Sequence, residues 1–185
     1  MNCWKSICIE TEFGKERLWI MSALIALGYF MVHFVVISTF TSNISFVDYG
    51  IIFFILLLIV VIPLHLVLHC LPIWISGRRA TFGIRKNQWP YVYFSTKDTV
   101  PKRVLLIAIS LPAISITTIS IVLSVLFPHL MHYMAIISAV NMGICFYDYL
   151  HFMHIKSAPS KSLIEEYENG YHILCKSVHS PKTQP

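Results

Sequence analysis

The stretch YGIIFFILLLIVVIPLHLVLHCLPIWI, residues 49–75, holds no lysine, arginine, aspartate or glutamate. At about 1.5 Å of rise per residue, a helix of that length exceeds the roughly 30 Å of a bilayer hydrocarbon core. In hydrocarbon, a helix satisfies its backbone N–H and C=O groups within a single segment. The stretch therefore predicts a membrane-spanning helix. Outward from it, further apolar runs extend from about Leu18 to Phe40, Val104 to Phe127 and His129 to Met153, the last two parted by Pro128. The expected fold is an all-α membrane protein with four transmembrane helices. Across the 185 residues, 56% are hydrophobic and 12% charged, about half the charge of an average soluble domain, which excludes a soluble globule. The opening MNCWKSICIETEFGKERLW mixes acids and bases and lacks a small-residue cleavage site, so the first run is expected to stay in the protein.

Charge placement gives an independent view, because lysine and arginine accumulate in cytoplasmic loops. Three basic residues precede the first span (Lys5, Lys15, Arg17), seven lie in the 76–103 loop, and four follow the last span, which is all 14 in the chain. The linker TSNISFVD between the first two spans has none. An even number of spans puts all three basic segments on one side. The expectation is a multi-pass protein of the bacterial cell membrane, with residues 1–17, the 76–103 loop and the 154–185 tail cytoplasmic around a membrane domain at 18–153. The net charge of +5 is then explained by topology, with the lipid bilayer as partner and no nucleic acid.

The short linker suggests that the first two spans form an antiparallel helical hairpin. In the long loop, ATFGI and YVYFS are β-prone runs flanking a polar turn that includes Asn87 and Gln88, a pattern that predicts a β-hairpin at the membrane surface. Its aromatics Trp89, Tyr91, Tyr93 and Phe94 suit either an interfacial anchor or a surface that binds a substrate. The tail is expected to form a short amphipathic helix from Lys161 to Glu168, ending near Gly170. The five cysteines show no paired spacing of a disulfide framework or zinc ribbon and read as reduced thiols.

Ionisable groups inside a span cost about 2.5–3.5 kcal/mol on insertion scales, so each needs a partner, a water cavity or a function. The candidates are His33, His65, His69, His132, Asp148 and His151, with Asp148 the only carboxylate in any span. His65 and His69 are four residues apart and share a helical face, so two imidazoles can hold one metal ion. This is the histidine spacing of the zinc helix H-E-x-x-H, with Leu66 at the glutamate position. Counting inward from the cytoplasmic ends at about 1.5 Å per residue puts His69 about 9 Å deep and Asp148 about 8 Å deep. Two histidines, one aspartate and a water make the donor set of an open zinc site; Cys70 and Cys145 are softer substitute ligands. Asn141, Cys145 and Asp148 form an i, i+4, i+7 stripe that can equally serve as hydrogen-bonded packing against the histidines. Pro63, Pro72 and Pro112 free backbone groups and let helices bend around a cavity. Haem is a weaker alternative: His65 and His69 share a face and cannot be opposite axial ligands, although His33 with a histidine of another helix could.

At these residues the sequence resembles a bacterial membrane family of unknown function, the putative zincin peptidases, distantly similar to site-2-type intramembrane metalloproteases. The similarity covers most of the chain. It rests on His65 and His69 in the second span, the aromatic loop ATFGIRKNQWPYVYF, the proline helix around Leu111 and Pro112, NMGICFYD with Asn141 and Asp148, and the closing APSKSLIEEYENG. The resemblance implies zinc at His65, His69 and Asp148. The chain departs from the pattern at Leu66, which replaces the catalytic glutamate, and at Phe146 and Tyr147, which replace small residues. Loss of a general base commonly removes about 10²–10⁴ in rate, so no catalytic residue is assigned. Three functions compete: a metalloprotease-like protein without hydrolytic power that keeps a metal- or substrate-binding cavity, an active peptidase with an unconventional base, and a structural or accessory membrane protein. A single-span membrane protein is the expected substrate or client.

Overall fold

The computed structural model describes residues 2–41, 45–84, 92–96, 98–160, 162–167 and 170–175. A strand β1 (Asn2–Ile7) and a short helix α1 (Ile9–Phe13) precede the first long helix, α2 (Lys15–Phe40). Helix α3 (Gly50–Ile75) leads into the strands β2 (Ala80–Ile84), β3 (Val92–Thr96) and β4 (Val100–Pro101). Helix α4 (Lys102–Leu126), a 3₁₀ turn at Pro128–Leu130 and helix α5 (Met131–Lys156) follow, and β5 (Leu163–Tyr167) and β6 (Gly170–Cys175) end the described chain. Four of these helices are long and apolar enough to cross a membrane.

Helix α3 stops after Ile75 for a local reason. Gly77 takes a positive φ of 76°, its N–H bonds to the Trp74 carbonyl and the Arg78 N–H bonds to the Ile73 carbonyl. This is the Schellman pattern, in which glycine closes the helix without a Cβ penalty. The chain is thereby turned into β2, where the Ala80 carbonyl accepts the Trp74 indole N–H at 3.0 Å. The two β-prone runs of the loop pair antiparallel, from Ala80 opposite Thr96 to Ile84 opposite Val92. Asn87, Gln88, Trp89 and Tyr91 lie outside the described residues.

The expected hairpin of the first two spans does not form. Helix α2 packs against α5 and α3 against α4, while α2 and α3 scarcely touch. The linker explains the separation, because it crosses the start of α5: Phe46 lies against Phe34 and His132, and the Tyr49 N–H bonds to the Tyr133 hydroxyl at 2.9 Å. Asp48 holds this crossing by accepting from the Gly50 N–H at 2.7 Å and the Tyr133 hydroxyl at 3.0 Å. Those two bonds stabilise the ionised carboxylate and keep its pKa below the ordinary value.

Helix α5 is the centre of the bundle. It meets α2 at Gly143, where an added Cβ would stand 3.0 Å from the Ser22 carbonyl oxygen and 3.1 Å from the Ala26 Cβ. Gly143→Val is expected to push the two helices apart and destabilise the fold by roughly 1–3 kcal/mol. Gly28→Ala, at a position with open space around it, is expected to leave stability unchanged or slightly raised. Thermal unfolding of both variants in detergent checks the pair.

A second layer covers one end of the bundle. Four antiparallel strands run in the order β1–β6–β5–β4, and each buries one residue almost fully: Ile7, Ile173, Ile164 and Val100 in that order. Residues near both ends of the chain and the start of α4 thus share one sheet, which places them at the same end of the helices. Lys102 ties this layer down by donating its Nζ to the Lys156 carbonyl at 2.8 Å and to the Ala158 carbonyl, where a cation complements the end of α5. The tail forms strands where a helix was expected. Ile164 faces both Val100 and Ile173 across the sheet, so pairing with distant segments outweighs local helix preference. Gly170 opens a strand for a steric reason: a Cβ there would fall 1.8 Å from the Ile7 carbonyl oxygen.

Candidate metal centre

Helix α3 carries His65 and His69 one turn apart, both almost completely buried. Helix α5 brings Asn141, Cys145 and Asp148 to the same level. The His65 and His69 Nε2 atoms are 2.9 Å apart, and each lies 3.3 Å from Asp148 Oδ2. The three atoms form a compact triangle in the bundle interior.

The protonation of the two rings follows from their other nitrogens. His69 Nδ1 lies 2.9 Å from the Ala108 carbonyl oxygen. A carbonyl can only accept, so Nδ1 carries the proton. His65 Nδ1 lies 2.9 Å from Asn141 Oδ1. The orientation of that amide is fixed because its Nδ2 donates to the Pro112 carbonyl at 3.3 Å, leaving Oδ1 to accept from His65 Nδ1–H. In the neutral form of each ring, Nε2 then turns a lone pair to the same point as a carboxylate oxygen. Asp148 Oδ2 is itself buried and has no hydrogen-bond partner among the described residues.

Three electron-rich atoms facing one another repel unless positive charge lies among them, supplied by a metal ion or by a proton on one of the Nε2 atoms. Tetrahedral bonds of about 2.0–2.2 Å imply ligand-to-ligand distances of about 3.3–3.6 Å; the two 3.3 Å imidazole–carboxylate separations meet that range, and the 2.9 Å between the ring nitrogens is shorter. Histidines that bind a metal through one nitrogen usually donate the other N–H to a carbonyl or carboxylate, as both Nδ1 atoms do here. The residues present therefore fit a zinc ion.

The remaining polar residues of the spans divide clearly. Cys145 Sγ lies 4.0 Å from His65 Nδ1, on the proton-bearing flank of that ring, and its thiol joins His65 and Asp148 in a group whose ligand atoms lie within 4.8 Å of one another. Cys70 is buried in an apolar cluster with Ile73, Leu105 and Ala108. His33 uses both nitrogens between Tyr29, at 3.2 Å, and Ser124, at 3.0 Å, an arrangement that leaves no bare nitrogen for haem. His132 packs on Phe46 and Tyr133 at the opposite end of α5 from the sheet. His151 is buried between the rings of Tyr147 and Tyr171. Leu66 is buried beside His65. Asp98 accepts from the Arg79 N–H at 3.3 Å in the exposed loop.

A family model described as "Putative zincin peptidase" matches residues 58–163, more than half of the chain. The chain belongs to the putative zincin peptidase family. The matched segment runs from the middle of α3 to the first residue of β5, and so includes His65, His69, Asn141 and Asp148 as well as the whole of α4. Membership in a zincin family implies zinc in general terms. No curated protein and no solved structure matches this zincin-family chain.

Spacing, depth and the resemblance name His65, His69 and Asp148, which the structure brings together, but not the backbone groups that orient the rings. The carbonyls of Ala108 and Pro112 orient both imidazoles, the second through Asn141. The signal that could have found the first of them is Pro112, since a proline in a helix leaves the carbonyl four residues earlier without its usual donor.

Proposed function

We propose that this zincin-family chain holds a zinc ion in the membrane at His65, His69 and Asp148, and that it does not hydrolyse peptides. The observation that carries the reading is the convergence of two imidazole Nε2 atoms and a buried carboxylate oxygen within 3.3 Å. Zinc held there would supply a Lewis acid and a water of lowered pKa. Peptide hydrolysis also needs a base within reach of that water. Leu66 cannot accept a proton, and among the described residues no carboxylate besides Asp148 contacts the histidine pair. The protein is therefore a metal-holding relative of membrane metalloproteases, and its client is a single-span membrane protein whose extended segment adds to the β2–β3 hairpin. Full-length protein purified in detergent is expected to carry about one zinc ion per chain by elemental analysis; a protein that stays metal-free after incubation with zinc would refute the proposal.

The same reading places the chain in the bacterial cell membrane with both ends cytoplasmic. The shared sheet at one end of the bundle and the position at that end of Lys5, Lys15, Arg17, Arg78, Arg79, Lys102, Arg103 and Lys156, which are the lysines and arginines among the described residues, support it. Protease treatment of inverted vesicles should remove the tail, whereas treatment of intact spheroplasts should spare it; the reverse pattern would invert the topology.

A further inference from the structure

We infer that Pro112 is a positioning residue of the metal centre, acting through the backbone carbonyl of Ala108. The inference rests on the zinc reading, but its subject is α4, a helix that contributes no ligand. In a regular helix the N–H of residue 112 would bond to the carbonyl of residue 108. Proline has no N–H, and its ring pushes that carbonyl aside. Pro112 and Ala108 are both buried, so the Ala108 carbonyl has no water to turn to, and an unpaired carbonyl in a membrane interior is costly. It is satisfied by His69 Nδ1–H at 2.9 Å. The bond fixes the tautomer of His69 and aims its Nε2 at His65 and Asp148.

The same turn of α4 reaches the second histidine. The Pro112 carbonyl accepts from Asn141 Nδ2 at 3.3 Å, and Asn141 Oδ1 accepts from His65 Nδ1–H at 2.9 Å. Two carbonyls one helical turn apart therefore orient both imidazoles, one directly and one through an amide. The consequence is unusual for a helix proline: its removal should improve the helix and harm the site. Pro112→Ala restores an N–H that competes with His69 for the Ala108 carbonyl.

The test uses the full chain in detergent, with three readouts on the wild type and Pro112→Ala: zinc affinity by chelator competition, the visible spectrum of the cobalt(II)-loaded protein, and the His69 tautomer in the metal-free protein by ¹⁵N NMR. Pro112→Ala is expected to weaken zinc binding roughly 10- to 100-fold, the usual effect of losing an outer-shell partner. It should also change the cobalt bands and shift His69 away from the Nδ1–H form, with no loss of thermal stability. Replacing residue 112 with the α-hydroxy analogue of alanine, which lacks both ring and N–H, should return affinity and tautomer to the wild-type values. Wild-type affinity and tautomer in Pro112→Ala would overturn the inference while leaving the zinc reading intact. If the wild type takes up no zinc yet the His69 tautomer moves in Pro112→Ala, the zinc reading fails and the action of Pro112 on His69 stands.

Discussion

Replacing His65 and Asp148 together by alanine is expected to leave the protein folded but without tightly bound zinc, lowering affinity by well over the roughly 100-fold that an outer-shell loss can cost. The reason is geometric. His65 and Asp148 supply two of the three atoms of the triangle, and a lone His69 with the neighbouring thiol of Cys145 cannot rebuild it, because Cys145 Sγ approaches His65 on its Nδ1 side. The fold should survive because α5 is anchored elsewhere, through the close contact of Gly143 with α2 and the burial of Ile155 in a core cluster with Val100, Ile164 and Tyr171 of the sheet. The result separates a metal centre from a set of polar helix contacts. Were the histidines and the aspartate packing groups only, the wild type and the double variant would carry equally little zinc, and the variant would show a loss of thermal stability instead.

The second large effect concerns Leu66. In a zinc helix of the H-E-x-x-H type the glutamate after the first histidine acts as general base, and here that position is a buried leucine. Leu66→Glu is expected to raise cleavage of a single-span reporter protein by about 10²–10⁴ over the wild type, the contribution of a positioned base, provided zinc is bound. Leu66→Gln, similar in size but unable to take a proton, should remain at the wild-type level. Adding Asp148→Ala to Leu66→Glu should abolish the gain. If the wild type already cleaves the reporter and Leu66→Glu changes nothing, the chain uses another base and is an active peptidase. The reporter also examines the proposed client class, since a soluble peptide should be cleaved less well than a membrane-embedded one.

How much of this could be read from the sequence depends on the range of the interactions involved. The residue 49–75 stretch predicts its helix because the bilayer admits few other structures for uncharged backbone. The pairing of His65 with His69 follows from helical periodicity, and the similar depths of His69 and Asp148 follow from counting residues to the ends of their spans. Contacts between distant segments carry no such local mark. Strand β1 pairs with β6 across almost the whole chain, Asn2 opposite Cys175, and the LIEEY segment takes its strand form from Val100 and Ile173 rather than from its own sequence. The separation of α2 from α3 depends on the path of the linker over α5, which composition does not encode. The Ala108 carbonyl belongs to backbone, and only the proline four residues later hints at its availability.

X-ray absorption at the zinc edge on the purified, zinc-loaded wild type tests the central claim most directly. The proposed zinc site of His65, His69 and Asp148 predicts nitrogen and oxygen neighbours at about 2.0–2.2 Å, with the multiple-scattering signature of two imidazoles and no sulfur shell near about 2.3 Å. A sulfur neighbour, or a spectrum of hexahydrated zinc with no imidazole, would contradict it.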